Sequence, residues 1–488
     1  MSKRPIYLVL ADTISGKRNY MPYPLLYVGN SLKKAGFEVE IKHCTEDQFQ
    51  DVINEICLDN PLFVGFSVIT GLHVSYAVKC SKEIKRKKPS IPICWGGVHP
   101  SLFGEQCLSE DYIDFIINGE GEESVVEFAN QLKGEKEFSK VKGLGYSING
   151  KVFSAERRFI SDLSTVRADF TLVNPEEYLT EFPEGEKRVL NYLSSRGCPH
   201  RCTFCYNLTY NERKWRTVPL EMVKEDIDYL KKNHKIDGLS FCDDNFYVNR
   251  ARAHEILEYL NLPSGFELRM DYMNDEMLKK LKKYRVRSFL VGVESGSDRI
   301  QKMIKKDYDL VTTKRSIDLL AKYHFRCHYS FIIALPGETY DEIKESVKCM
   351  LYIIRNHKEG TFTPGQFLPY PGAPLYDVAV KAGFKVPKTT EGWSVLDRWN
   401  NKMELPWSPV DTDFCYNVKW YTFFIAARIK LVSSICKLRL KHLNFKFPID
   451  LKIFMLLYNL GYHSNLKVGK IVKSIAKVFQ LDVRENKV

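Results

Sequence analysis

The chain has no uncharged apolar run of about 18 residues, so a membrane-spanning helix is not expected. It has no basic segment followed by an apolar stretch at its start, so no secretory signal is expected. Its thirteen cysteines lack the regular spacings of a disulfide framework and are read as reduced thiols of a cytoplasmic protein. Internal repeats and low-complexity tracts are absent as well. Net positive charge is scarce in the main body. Residues 416–488 hold 14 Lys and Arg against three acids (Asp450, Asp482, Glu485), which leaves +11 of the chain's +12 in that segment. A near-neutral main body argues against a nucleic-acid binder.

What is present is a globular composition, 44% hydrophobic and 27% charged over 488 residues, enough for two or three domains. Residues 1–135 alternate short apolar runs (IYLVLA, FVGFSVIT, IPICWGG) with amphipathic stretches, the rhythm of a doubly wound parallel α/β sheet. Ligands of such sheets lie at the carboxyl ends of the strands. Those ends carry Ser67, the turn Gly96-Gly97-Val98-His99-Pro100-Ser101 and the turn Gly119-Glu120-Gly121-Glu122. Residues 136–187 lose this rhythm and are read as a hairpin with an Asn149-Gly150 turn, followed by a linker. Six further βα units occupy 188–375, as in a partial (β/α)6 TIM-like barrel. Residues 376–488 are Trp-dotted and then basic and apolar, a mainly helical domain.

Cys198, Cys202 and Cys205 crowd into eight positions at the carboxyl end of the first barrel strand. Soft thiolates suit zinc, copper(I) or iron–sulfur clusters. A structural zinc site would call for a fourth Cys or His, and His200 inside the loop is poorly placed to converge with its neighbours. A cluster held by three thiolates leaves one iron open for an external ligand. The alternatives are a zinc site or a redox sensor.

Cys198-x3-Cys202-x2-Cys205, with Phe204 before the last thiol, resembles the signature of the radical S-adenosylmethionine (SAM) superfamily. That resemblance implies a [4Fe–4S] cluster whose open iron binds SAM and cleaves it to a 5′-deoxyadenosyl radical. It further implies that Asp243 or Asp244 holds the SAM amine, that Arg269 pairs with its carboxylate, and that Glu294, assisted by Ser295, binds the ribose or amino acid moiety. Pro336 and Gly337 of IIALPGET would line the adenine pocket. The GGVHPS and GEGE turns resemble those of the cobalamin-binding subgroup, which implies cobalamin contacts at Ser67, Gly96, Gly97, His99, Pro100, Ser101, Gly119, Glu120, Gly121 and Glu122. The subgroup's Asp-x-His-x-x-Gly loop is incomplete: Ile14 stands where the histidine would follow Asp12, so cobalt is expected without a histidine from that loop, and His99 is the nearest substitute.

The implied reaction is C-methylation of an unactivated carbon through methylcobalamin. The alternative is a non-methylating cyclisation or ring contraction, and a cobalamin or iron–sulfur sensor is a third reading. Tyr206 and Tyr370 are candidates for the substrate pocket. The expected partners are a small-molecule or lipid-like substrate and a flavodoxin- or ferredoxin-type electron donor, without nucleic acid. Residues 416–488 fit either a helical cap on the barrel or a peripheral layer on an anionic membrane.

Overall fold

The computed structural model describes residues 4–12, 18, 20–148, 150–154, 156–397, 403–426 and 429–463. IYLVLA forms β1 (Ile6–Ala11), buried along its whole length, because helices cover both faces of a parallel sheet. Successive side chains take opposite faces. Tyr7, Val9 and Ala11 enter one core, while Ile6, Leu8 and Leu10 enter another. With β2 (Val39–Cys44), β3 (Val64–Ser67), β4 (Ile93–Gly96) and β5 (Phe115–Ile117) it makes the parallel order β2-β1-β3-β4-β5. The order reverses at β1, and a crevice opens outside the strand ends there.

The segment 136–187 holds a hairpin where one is expected, but it is more than a hairpin and linker. Its hairpin, β6 (Leu144–Ile148) and β7 (Lys151–Phe153), pairs antiparallel with β5, Phe115 opposite Tyr146, and so extends the first sheet to seven strands. Asn149 of the expected turn lies outside the described residues, as do Ile14, Gly16 and the basic stretch 464–488. The stretch read as a linker is three short turns whose leading side chains Asp162, Asp169 and Asn174 each accept a backbone N–H two residues on. It buries Leu163, Val166, Phe170 and Tyr178 in the main core. Alternating hydrophobicity cannot reveal such a segment, because its order comes from side-chain caps.

The second sheet has six parallel strands: β8 (Val189–Tyr192), β11 (Gly238–Phe241), β12 (Ser264–Glu267), β13 (Val286–Glu294), β14 (Arg326–Ile333) and β15 (Gly360–Gln366). A small ladder, β9 (Ser195–Arg196) against β10 (Arg216–Thr217), is inserted after β8. Each crossover runs through helix, so the sheet is an open barrel. In β14, Cys327, Tyr329, Phe331 and Ile333 pack outward under the helices, while His328, Ser330 and Ile332 line the lumen. Asn249, Asn274, Ser297, Asp309 and Thr339 start the barrel helices as side-chain N-caps.

Past the barrel the chain returns to the first domain. Trp393 is fully buried and donates to Gln106 Oε1 at 2.7 Å, and a Cβ at Gly71 (φ +112°) would lie 2.7 Å from the Leu396 carbonyl. The helices Thr412–Ala426, Lys430–His442 and Ile449–His463 complete the described chain.

Candidate functional site

The cysteine loop is held from behind by an aspartate pair. Gly197 leads into it with φ +83°, and a Cβ there would meet the Lys214 carbonyl at 2.0 Å, so only glycine fits. Asp244 clasps both ends of the loop, accepting from Gly197 N at 2.8 Å and from Asn207 Nδ2 at 2.9 Å. Asp243, 1% exposed, accepts from Ser194 N and from the hydroxyls of Ser194 and Ser195. Burial, partly offset by these donors, raises its carboxyl to about 6. Both carboxylates therefore brace the loop, and Asp244 also lines a cavity between the two sheets.

The thiols of Cys198, Cys202 and Cys205 are unpaired with one another. Burial raises Cys198 and pushes Cys205 up to about 12, so both are neutral until a metal displaces the proton. Among the described residues no three His, Cys, Asp or Glu side chains converge as ligands of one ion. A cluster assigns each thiolate to its own iron, a different geometry from single-ion ligation. Asn245 Nδ2 reaches Cys198 Sγ at 3.8 Å, while its Oδ1 is buried without a partner. Arg269 Nη1 points at Cys202 Sγ at 3.9 Å. The rest of its guanidinium grips Asp271, Nε to Oδ1 at 2.9 Å and Nη2 to Oδ2 at 3.1 Å. The fork expected for a carboxylate ligand is thus already filled by Asp271.

Glu294 ends β13 in the left-handed region (φ +67°), a costly conformation for a non-glycine residue. Its Oε1 accepts from Lys306 Nζ at 3.2 Å, and the ammonium sits 5.9 Å from the ring centre of Phe204. Ser295 turns away from the lumen: it is fully buried and hydrogen-bonds Ser346 Oγ at 3.2 Å, behind the sheet. Gly337 (φ +82°) follows buried Pro336 in the turn after β14, where its carbonyl accepts from Arg299 at 2.7 Å.

Sequence reading passed over three residues. Lys306 has a side chain that is 7% exposed and paired with Glu294. Asn245 carried no signal beyond its place beside the aspartates. Glu267 ends β12 with its side chain open to solvent, and the surrounding protein first, then the fields of Asp244 and Glu294, raise its carboxyl to about 7.

A cavity of about 360 Å³ opens between the two sheets at their carboxyl ends. From the first sheet its wall takes Ser67, Gly96, Gly97, Gly119, Glu120, Gly121 and Glu122. The barrel contributes Arg196, Tyr206, Tyr210, Cys242 and Asp244. Bare backbone faces the cavity at the glycines: a Cβ on Gly97 (φ +97°) would meet the Val68 carbonyl at 2.8 Å, and one on Gly119 (φ +96°) the Arg158 carbonyl at 2.2 Å. Such a smooth, mostly apolar wall at a strand-end crevice fits a flat macrocycle.

Three residues expected on this wall lie elsewhere. His99, Pro100 and Ser101 are inside the helix Val98–Leu102. The His99 ring is fully buried, bonded to Thr70 Oγ1 at 3.1 Å through Nδ1 and packed against Phe103 and Trp393. Burial lowers it to about 3, and the residue is not on the cavity wall. Ser101 Oγ accepts from Gly119 N at 2.8 Å and donates to the Gly97 carbonyl at 2.7 Å, tying the two glycine turns together. Tyr370 likewise lies off the cavity wall, partly buried against the main core.

The acids of GEGE line the cavity, but their carboxylates serve the barrel. Glu120 receives Arg196 at 2.9 Å and Arg216 at 2.5 Å, and Glu122 receives Arg196 at 2.7 Å. Arg196 also covers the Tyr27 ring at 4.3 Å. Burial works to raise Glu120, yet the two guanidiniums hold it below the ordinary glutamate value. Because Arg196 stands two residues before Cys198, this clamp joins the glycine turns of one domain directly to the thiol loop of the other.

A thiol loop at the mouth of an open βα barrel, facing a glycine-walled cavity on a doubly wound domain, defines an enzyme that brings two cofactors together. Comparison with known proteins agrees with it. Residues 192–350 match the radical SAM superfamily model and residues 11–129 match the B12 binding domain model. An uncharacterized methyltransferase of Pyrococcus horikoshii is 26% identical, over 81% of this chain and 88% of its own length. The anaerobic magnesium-protoporphyrin IX monomethyl ester cyclase of Synechocystis is 25% identical, over 69% of each chain. The fold is shared with the radical SAM methyltransferase TsrM of Kitasatospora setae, solved with cobalamin and a [4Fe–4S] cluster bound: TM-score 0.66 at 17% identity, covering 81% of this chain and 85% of that one. The chain belongs to the cobalamin-binding subgroup of the radical SAM superfamily, and its cofactors are a [4Fe–4S] cluster, SAM and cobalamin.

Proposed function

We propose that this enzyme C-methylates an unactivated carbon of a small or lipid-like substrate. The observation that carries the reading is a cavity walled on one side by the glycine turns and on the other by the residues flanking the thiol loop. Bound there, SAM cleaved at the reduced cluster supplies a hydrogen-abstracting radical, and cobalamin supplies a transferable methyl group. The chain's part is to hold and orient. Cys198, Cys202 and Cys205 serve as the cluster ligands. Asn245 Oδ1, a buried acceptor without a partner, suits the SAM amine. Reduction of the cluster held by these thiols would call for an external one-electron donor of flavodoxin or ferredoxin type.

Turnover with methyl-labelled SAM tests the reaction. Label in the product together with 5′-deoxyadenosine supports methylation. Unlabelled product formed with 5′-deoxyadenosine supports the ring-forming alternative, to which the cyclase relative also points.

The cobalamin wall has its own test. A Cβ on Gly121 meets only Val28 and Ile117 side chains, at 3.4 and 3.6 Å, so a larger residue is tolerated by the backbone and intrudes on the cavity. Gly121→Leu is expected to cut retained corrin absorbance at least tenfold while cluster iron and sulfide stay at parent levels. Equal corrin retention would place cobalamin elsewhere.

Glu267 is assigned to the substrate, as the solvent-open carboxyl at the end of β12 able to give or take a proton near neutrality. Its value is raised, so the neutral acid is the form favoured by the fold. Any stability linked to it is present at low pH and lost as pH rises from the ordinary value of 4.5 through about 7. Product formation is expected to show a titration limb near pH 7 that Glu267→Gln removes. A limb unchanged in that variant rules the assignment out.

A further inference from the structure

Eighteen large hydrophobic side chains are exposed among the described residues, and eight of them fall between Ile429 and Leu457. Those elsewhere are scattered along the chain, as is ordinary for a protein surface. These eight are arranged. In the helix Ile449–His463, Ile449, Ile453, Leu456 and Leu457 are 49–63% exposed and recur at the spacing of one helical stripe. The opposite side of that helix is already committed: Leu451 and Tyr458 are buried, with Tyr458 packed on Trp420, Phe423 and Phe424. In the helix Lys430–His442, Leu431 and Leu438 lie seven residues apart at 73% and 60% exposure, while Cys436 and Leu440 face the core. Phe447, between the two helices, is 82% exposed.

Charge completes the pattern. Lys430, Lys437, Lys441, Lys446 and Lys452 are exposed among these apolar side chains. The only acid from 429 to 458 is Asp450, which is spent on Arg439 at 2.9 Å and Tyr421 at 3.0 Å. An apolar stripe flanked by unopposed lysines is poorly suited to a second copy of itself, since a two-fold contact would bring like charges together. An anionic lipid surface satisfies both features at once. Its acyl boundary takes the leucines and phenylalanine, and its headgroups attract each nearby lysine by about 1 kcal/mol. No described helix is long and apolar enough to cross a membrane, so the helices would lie in the interface plane.

We propose that residues 429–457 form a docking surface for an anionic lipid bilayer. It holds the enzyme against the membrane whatever reaction the cofactors perform.

Flotation of the full-length protein with vesicles tests this directly. The chain is expected to float with vesicles containing phosphatidylglycerol at low salt, to lose most of that association as salt rises, and to float little with phosphatidylcholine alone. The triple variant Phe447→Ser, Leu456→Ser, Leu457→Ser is expected to lower the partition coefficient at least tenfold. Circular dichroism and corrin retention equal to the parent's would establish that it is folded. Failure of the parent chain to float with anionic vesicles at low salt overturns the proposal, as does a folded triple variant that partitions like the parent. Sedimentation as a dimer that the same substitutions dissociate, without vesicle binding, would assign the stripe to a second copy and equally overturn it.

Discussion

Alanine in place of any one of Cys198, Cys202 or Cys205 is expected to reduce 5′-deoxyadenosine formation to background and to remove the cluster's visible absorbance. Three thiolates are the minimum that anchors three irons while leaving the fourth for SAM, and no other Cys or His in the loop can take over. His200 lies within the loop, but its Nε2 bonds Tyr272 Oη at 2.7 Å. Burial first, then Arg269, lowers its ring to about 4, so it is neutral at physiological pH and engaged away from the thiols. His200→Gln is therefore expected to keep iron, sulfide and SAM cleavage at near-parent levels. The paired measurement is iron and sulfide content with 5′-deoxyadenosine yield in all four variants. Cluster loss in the His200 variant would sink the three-thiolate assignment.

The second large effect is expected at the inter-domain clamp. Glu120→Gln leaves Arg216 and half of Arg196 without their counter-ion in a site where the Arg216 side chain is 9% exposed. Removing one partner of a buried ion pair costs about 3–5 kcal/mol, because the remaining charge is left desolvated. Denaturant unfolding should report a loss of this order. The double variant with Arg216→Met should be less destabilised than the sum of the singles, since the orphaned charge is gone. Sign and pH window follow from the depressed carboxyl. Its stabilisation is complete above the ordinary glutamate value of 4.5 and fades as pH falls below that toward the folded value, a dependence the Gln variant should lack. The clamp also sets how the thiol loop sits against the glycine turns. In Glu120→Gln, 5′-deoxyadenosine should still form, but its ratio to product should rise several-fold. Unchanged stability and an unchanged ratio together would show that the pair does nothing beyond filling space.

Much of this architecture is written locally. Six apolar runs with intervening amphipathic stretches mark the barrel strands, because side-chain period and strand burial are properties of a few adjacent residues. The cysteine spacing is likewise contained in eight positions, so its chemistry is readable without a partner. Expectations failed where a role depended on what lies opposite. GEGE reads as a cofactor turn and does line the cavity, but the Glu120 carboxylate is also met by arginines 76 and 96 residues away. Arg269 reads as a free carboxylate receptor, but Asp271 folds back onto it two residues on. His99 stands in a glycine turn on paper and inside a helix, facing Trp393, in space. The hairpin of 144–153 carried its own turn signal, while its attachment to β5 came from edge pairing that local pattern does not encode.

By itself the sequence determined the two βα domains, the thiol loop and the glycine turns, since each rests on short-range periodicity, backbone freedom or ligand spacing. Tertiary structure alone decided which charges are spent on one another and which remain. It engaged Asp243 and Asp244 with the thiol loop and Glu120 and Glu122 with arginines, set Asn245 beside Cys198 and Lys306 beside Glu294, and left the stripe at Ile449–Leu457 exposed among the described residues. The physical reason is the same in each case. A charged or apolar side chain acquires its role from whatever desolvates it, and that is settled only when distant elements pack.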